Sequence, residues 1–139
     1  MKKKIAILGS TGSIGKSLIN ILKKDKKNIE ICLLTAHKNY KELFKQIQTF
    51  NVKNIIITDP NSYLKVKKLL KKRKINILSS LDALNKIFIK KKIDYTMSAI
   101  SGFSGLKPTL DIIKYSKTIA IANKESIICG WSFIKKRLK

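Results

Sequence analysis

A doubly wound α/β fold, in which helices cover both faces of a parallel sheet, is predicted by three observations. Short apolar runs such as residues 5–8 and 29–35 lack strict alternation and read as strands buried on both faces. Segments with apolar residues at helical spacing separate them, so strand and helix alternate along the chain. The first strand-to-helix connection, Gly9-Ser10-Thr11-Gly12-Ser13-Ile14-Gly15, carries glycine at every third position.

Each glycine in that loop answers a different steric problem in passing from strand to helix around a pyrophosphate. Gly9 permits the tight turn, Gly12 lets the backbone approach the phosphates, and Gly15 lets the helix lie close on the strand. A helix opening near Ser13 aims unpaired N–H groups and the positive end of its dipole at an anion. Thr11 and Ser13 add hydroxyl donors. The spacing is not the commoner G-x-G-x-x-G, and similar turns occur in α/β proteins that bind no nucleotide. The strand before and the helix after favour a phosphate cradle.

With 139 residues, 44% of them hydrophobic, the chain suffices for one domain with a real core. A formal charge of +23 raises nucleic acid as a partner. However, lysines occur in nearly every segment, and their densest runs, residues 67–74 and 90–92, fall at expected helix ends, where cations complement the dipole. No basic strand with interleaved aromatics and no zinc-finger pattern occurs. Solvated lysine-rich faces are therefore expected, with no specific nucleic-acid partner. Cys32 and Cys129 form no C-x-x-C pair and His37 is the only histidine, which fits reduced thiols and no zinc site. The apolar run after Lys2-Lys3-Lys4 stops at Gly9, too short for a signal peptide, and no later segment is long enough to span a membrane without charge. A cytoplasmic location is predicted.

In chain order, the first helix is expected over residues 13–24 with Ile14, Leu18, Ile21 and Leu22 inward. The second strand, residues 29–35, ends in Thr35-Ala36-His37-Lys38-Asn39 without a carboxylate. An acidic residue there would suit the ribose 2′-hydroxyl of NAD, and a basic one the 2′-phosphate of NADP, so NADPH is preferred, with Lys38 and Asn39 near the adenosine phosphate. Asn39 also reads as the cap of the next helix, with Glu42 three residues on. That helix, residues 40–50, should bury Tyr40, Leu43, Phe44 and Ile47. A strand over 54–58 follows, then a turn at Asp59-Pro60-Asn61 and a helix over 62–72 buried through Val66, Leu69 and Leu70. A short strand at 75–78 leads to Ser80, a plausible cap, and to a stripe of Leu81, Leu84, Ile87 and Phe88.

The strand over 93–100 ends in Ser101-Gly102-Phe103-Ser104-Gly105, a second glycine-bearing turn. Ligands of open parallel sheets bind beyond the carboxyl ends of the strands, so this turn should face the crevice of the first loop. Pro108 fits the first turn of the next helix, where an N–H has no intrahelical partner. A strand over 118–122 then delivers Asn123-Lys124-Glu125. These three read either as a functional triplet or as a helix start, with Asn123 capping and Glu125 favouring the N-terminus. The last helix should bury Ile127, Ile128, Trp131, Ile134 and Leu138.

Three segments together, the Gly9–Gly15 loop, Ser101-Gly102-Phe103-Ser104-Gly105-Leu106-Lys107-Pro108-Thr109-Leu110 and Ala122-Asn123-Lys124-Glu125-Ser126, closely resemble the amino-terminal domain of 1-deoxy-D-xylulose 5-phosphate reductoisomerases. The resemblance spans essentially the whole chain. It implies a Rossmann-like, three-layer NADPH-binding domain of a dimeric enzyme that also needs a divalent metal, magnesium or manganese. Such enzymes isomerise and reduce the ketose phosphate to 2-C-methyl-D-erythritol 4-phosphate in non-mevalonate isoprenoid biosynthesis. By matching position, Thr11, Gly12, Ser13 and Ile14 would hold the cofactor phosphates, His37, Lys38 and Asn39 would stand at the adenosine end, Asn123 and Glu125 on the nicotinamide side, and Lys124 at the substrate.

Two departures stand out: the family usually has glycine in place of His37 and of Ser116. A side chain at 37 would crowd the adenosine, and one at 116, a helix-ending position suited to left-handed backbone, would cost about 1 kcal/mol. The family's acidic metal ligands and carboxyl-terminal helical domain have no counterpart in these 139 residues, which are expected not to catalyse the reaction alone. The alternative reading is a nucleotide-binding or interaction module without catalysis.

Overall fold

Six strands form one wholly parallel sheet in the order β4-β3-β2-β1-β5-β6. They are β1 (Lys3–Leu8), β2 (Ile29–Ala36), β3 (Asn54–Ile57), β4 (Asn76–Leu78), β5 (Ile93–Ser98) and β6 (Ser116–Ile121). The computed structural model describes residues 1–89 and 92–138; Lys90 and Lys91 of the expected lysine run, and Lys139, lie outside the described residues. Helices α1 (Ser13–Leu22), α2 (Tyr40–Thr49) and α3 (Pro60–Leu69) pack on one face, where Ile19, Leu43, Ile47 and Val66 meet Ile7, Leu34 and Ile55. On the other face, α4 (Leu84–Ile87) and α5 (Leu106–Ile113) cover Ala6, Leu8, Leu33 and Ile56, and α6 (Lys124–Arg137) lies against α5. The fold is thus the three-layer, Rossmann-like arrangement that the strand–helix alternation predicts.

A bulge in β2 sets the phase of the two layers. Ile5 pairs with Ile31 and Ala6 with Leu33, leaving Cys32 as the extra residue. Cys32 and Leu33 consequently both face the α4–α5 layer, while Ile31 and Leu34 face the other. The Cys32 thiol donates to the Ile5 carbonyl at 3.2 Å, and burial pushes its pKa up to about 12, so it stays protonated at neutral pH. Cys129 is free and exposed on α6.

Four of the expectations need correction. On α1, Ile14 and Ile21 are 44% and 63% exposed, and the inward line is instead Gly15, Leu18, Ile19 and Leu22. The helix turns its smallest residue toward the loop because a Cβ at Gly15 would meet the Gly9 carbonyl oxygen and, at 2.6 Å, Ser10 backbone atoms. Asp59-Pro60 is the start of α3 and not a turn: the Asp59 carboxylate caps the Ser62 N–H, Pro60 occupies the first helical position, and Leu69 ends exposed. On α6 the buried line is Ser126, Gly130 and Ile134, while Ile127, Ile128, Trp131 and Leu138 are exposed. Gly130 draws α6 onto the Leu106 side chain, so the smallest residue again selects the face. Finally, Ser116 is not left-handed: the described residues other than glycine all have negative φ. Ser116 opens β6, its hydroxyl pairing with Thr96 Oγ1 at 2.7 Å and donating to the Ile112 carbonyl at 2.9 Å, so the expected backbone cost does not arise.

The order of the strands reverses at β1, with β2, β3 and β4 on one side and β5 and β6 on the other. The loops after β1 and β5 therefore part to opposite faces and leave a crevice at the carboxyl ends of the strands.

Candidate functional site

The glycine loop is anchored from below. Gly9 has φ +78°, and a Cβ there would stand 2.8 Å from the Ala99 carbonyl oxygen, so the turn and the approach to the β5 loop both require glycine. The Gly9 N–H donates to Thr35 Oγ1 at 2.8 Å and the Ser10 N–H to the Thr35 carbonyl at 2.9 Å. Ser10 is wholly buried, its hydroxyl also on the Thr35 carbonyl and its own carbonyl accepting from Gln46 Nε2 at 2.9 Å. Gly12 is different. Its φ of −74° suits any residue, and a Cβ would meet nothing closer than the Gly9 carbonyl oxygen at 3.7 Å. Nothing inside the protein needs glycine at 12; the space a side chain would fill lies outside, over the start of α1.

That helix start is open. Gly12 offers α1 no side-chain cap, the first turn has no acidic residue, and the Thr11 N–H has no partner among the described residues. Thr11, Ser13 and Ile14 stand around it, Ser13 and Ile14 exposed. Unpaired N–H groups at a helix N-terminus, with backbone left bare by a glycine, are the donor set a phosphate takes. The geometry fits a dinucleotide.

The end of β2 is stitched to the end of β3. His37 Nδ1 lies 2.8 Å from Thr58 Oγ1, the His37 carbonyl accepts the Asp59 N–H at 3.1 Å, and the Lys38 carbonyl accepts Ser62 Oγ at 3.0 Å. Asn39 caps α2 through the Glu42 N–H at 3.1 Å, so its Oδ1 is engaged within the protein. The Lys38 side chain is exposed beside this loop. Hydrogen bonds from the Ser62 N–H and hydroxyl hold the Asp59 carboxyl below its ordinary pKa, with lesser help from Lys38 and His37.

Across the crevice, Asn123 is buried and occupied. Its Oδ1 caps the Ser126 N–H at 3.0 Å, and its Nδ2 donates to the Ile100 carbonyl and, at 2.6 Å, to the Gly102 carbonyl. Asn123 thereby pins the β5 loop to α6, and one Oδ1 lone pair is left for a ligand. Beneath the loop, Ser98 Oγ, Thr109 Oγ1 and the Gly105 carbonyl form a buried chain with 2.6 Å links. Lys124 is exposed and Glu125 half-buried at the start of α6.

Two adjoining clefts share Ala99, Ile100 and Ser101. The larger, about 550 Å³, runs from Thr11 and Gly12 past His37 and Thr58 to Leu81. The smaller, about 280 Å³, joins Ile14 to Asn123, Lys124 and Glu125. The structure so brings together Thr11, Gly12 and His37 on one side and Ile14 with the 123–125 triplet on the other. Ser13, Lys38 and Asn39 stand near these walls and line neither cleft. Thr35, Thr58 and Leu81 also line the larger cleft, and Gln46 supports its loop, although in the sequence none of them is assigned to the site: Leu81 reads there only as part of a buried stripe, and only Thr35 and Thr58, polar residues ending apolar runs, carry a signal. Among the described residues no three His, Cys, Asp or Glu side chains converge as metal ligands, so these residues do not fit a metal site. No described helix is long and apolar enough to cross a membrane.

Residues 5–130 match the family model of 1-deoxy-D-xylulose 5-phosphate reductoisomerase. The chain is 67% identical over 138 residues to the enzyme of that name from Pelagibacter ubique, and 37% identical over 138 residues to the one from Thermotoga maritima. These alignments take in 99% of this chain but 36% and 35% of the relatives, so the chain spans about a third of their length. Among solved structures it superposes on the Zymomonas mobilis reductoisomerase in complex with NADPH, with a TM-score of 0.90 and 33% identity over 99% of this chain and 36% of that one. A reductoisomerase in complex with NADPH, fosmidomycin and magnesium matches at a TM-score of 0.85 and 29% identity, covering 98% of this chain and 35% of its own.

Proposed function

The chain belongs to the 1-deoxy-D-xylulose 5-phosphate reductoisomerase family, and from that premise we propose that its 139 residues are the NADPH-holding domain of such an enzyme. The observation that carries the reading is Gly12: glycine stands there with no demand from the protein, at the one face where a pyrophosphate would lie against the open start of α1. Thr11, Gly12, Ser13 and Ile14 hold the phosphates, while His37, Lys38 and Asn39 frame the adenosine end. Lys38 supplies the positive charge that a 2′-phosphate needs. Glu125 and the free lone pair of Asn123 meet the nicotinamide side, with Asn123 also fixing the β5 loop. When bound, NADPH supplies the hydride.

Lys124, exposed at the smaller cleft, orients a sugar-phosphate substrate through its ammonium group, which can hold a hydroxyl and stabilise charge developing on oxygen. In this reading the enzyme isomerises and reduces 1-deoxy-D-xylulose 5-phosphate, works in the cytoplasm as a homodimer, and uses a divalent metal. Among the described residues no acidic cluster stands ready to hold that metal, so this chain taken alone is expected to bind cofactor without turnover.

Titration calorimetry with the purified chain tests this. NADPH is expected to bind at least tenfold tighter than NADH, and Lys38→Glu to remove the preference; equal affinities in the unmodified chain refute the NADP assignment. Turnover of the ketose phosphate with NADPH and magnesium by this chain alone would refute the inactivity.

A further inference from the structure

One polar side chain that the proposed site does not use lies directly beneath it. Gln46, on α2, is 2% exposed and donates its Nε2 to the Ser10 carbonyl at 2.9 Å. The same Nε2 reaches Glu42 Oε1 at 3.4 Å, and Gln46 Oε1 has no partner among the described residues. Both of its neighbours are acceptors, so turning the amide over would set oxygen against oxygen; its orientation is fixed. A buried glutamine with half its amide unpaired is costly for packing alone.

What it fixes is a peptide plane. A trans peptide points its carbonyl and the following N–H in opposite directions, and the described backbone has no cis bond. With the Ser10 carbonyl drawn inward to Gln46, the Thr11 N–H points outward to the cleft that Thr11 and Gly12 line. Turned the other way, the same peptide would present a carbonyl oxygen to the anion. The Ser10 N–H and hydroxyl are held by Thr35, which secures the preceding peptide and leaves this one to Gln46.

We infer that Gln46 is a positioning residue that locks the Ser10–Thr11 peptide with its N–H toward the phosphate site, so that the loop is a donor nest before any ligand arrives. The inference rests on the NADPH-binding reading above.

The test compares the full chain with Gln46→Met, which keeps the length and loses the donor, and Gln46→Glu, which regains an O–H donor only when protonated. Two probes are titrated: NADP⁺, whose pyrophosphate meets the loop, and adenosine 2′-phosphate, which has nothing to place there. For Gln46→Met, NADP⁺ affinity should fall about tenfold while adenosine 2′-phosphate affinity stays within about twofold. The NADP⁺ deficit of Gln46→Glu should shrink toward mildly acidic pH, a rescue that a packing role does not predict. If the unmodified chain binds no NADP⁺, the functional reading fails and takes this inference with it. If it binds and both variants match it, the inference alone fails. Loss of both probes in step with a lowered melting temperature also overturns it, because Gln46 then only packs.

Discussion

The N-termini of α1 and α6 face the same crevice and are finished in opposite ways. At α6, Asn123 caps the Ser126 N–H and ties the preceding loop down through two carbonyls. At α1, Gly12 gives no cap at all, although the loop beneath is bonded at Gly9 and Ser10. Helices α2 and α3 side with α6, capped by Asn39 and Asp59. Helices α4 and α5 also lack a side-chain cap, but each continues from a 3-10 turn, Leu81–Ala83 and Phe103–Gly105 respectively. Helix α1 instead opens straight from its loop beside a cleft, which leaves its first N–H groups for something else. The contrast separates glycines and asparagines that build the crevice from those that leave it open.

Substitutions at Gly15 and Gly12 should break that contrast most sharply. Gly15→Ala drives a Cβ into the backbone of Gly9 and Ser10, which cannot step aside, and is expected to cost about 3 kcal/mol in urea denaturation. Gly12→Ala, only three residues away, should leave stability within about 0.5 kcal/mol, because its Cβ meets nothing closer than the Gly9 carbonyl oxygen at 3.7 Å, yet reduce NADPH affinity more than tenfold. Equal destabilisation by both would show that Gly12 is structural after all. At the capped end, Asn123→Ala removes a cap and strands two carbonyls, an expected loss of about 2 kcal/mol.

Strand order and loop positions were legible because apolar runs and glycines carry them directly: the six runs became six parallel strands, and both glycine turns reached one crevice. Faces were harder to read. Counting large apolar residues turned α1 through Ile14 and Ile21 and α6 through Trp131, whereas Gly15 and Gly130 decide both faces by allowing close approach. A missing side chain leaves no trace in a hydrophobic stripe. Ser10 and Gln46 were missed for a related reason: each is buried only because the other, or Thr35, satisfies it, and that pairing spans more than two dozen residues of sequence. Asp59-Pro60 looked like a turn because the same dipeptide chemistry begins helices.

A finer test installs at α1 what α6 already has. Gly12→Asp supplies a capping carboxylate to the open N–H groups, with φ already compatible, and should stabilise the free chain by about 0.5 kcal/mol. The same carboxylate would stand where the phosphate does, so NADPH binding should be lost. Gain of stability with loss of binding is the expected pairing. Unchanged binding would mean that the phosphates lie elsewhere.

The smallest effect concerns acid. The Asp59 cap is a carboxylate held below its ordinary pKa by the Ser62 N–H and hydroxyl, so it binds a proton less readily in the folded chain than in the unfolded one. Its contribution is therefore complete above the ordinary value of 3.8 and is lost as pH falls through the lower folded value. Asp82 and Asp94 are also held low, by Lys107 and Lys117, and give the same acid slope in any variant that keeps them. Replacing Asp59 by Asn preserves an acceptor for the cap while removing the titration. Melting temperatures of the two proteins, followed from neutral to strongly acidic pH, should differ slightly at neutrality in favour of Asp59 and converge in acid. The cap at α3 thus has an acid limit, whereas the start of α1, which holds no titrating group, should show none: Gly12→Ala should run parallel to the unmodified chain across the whole range.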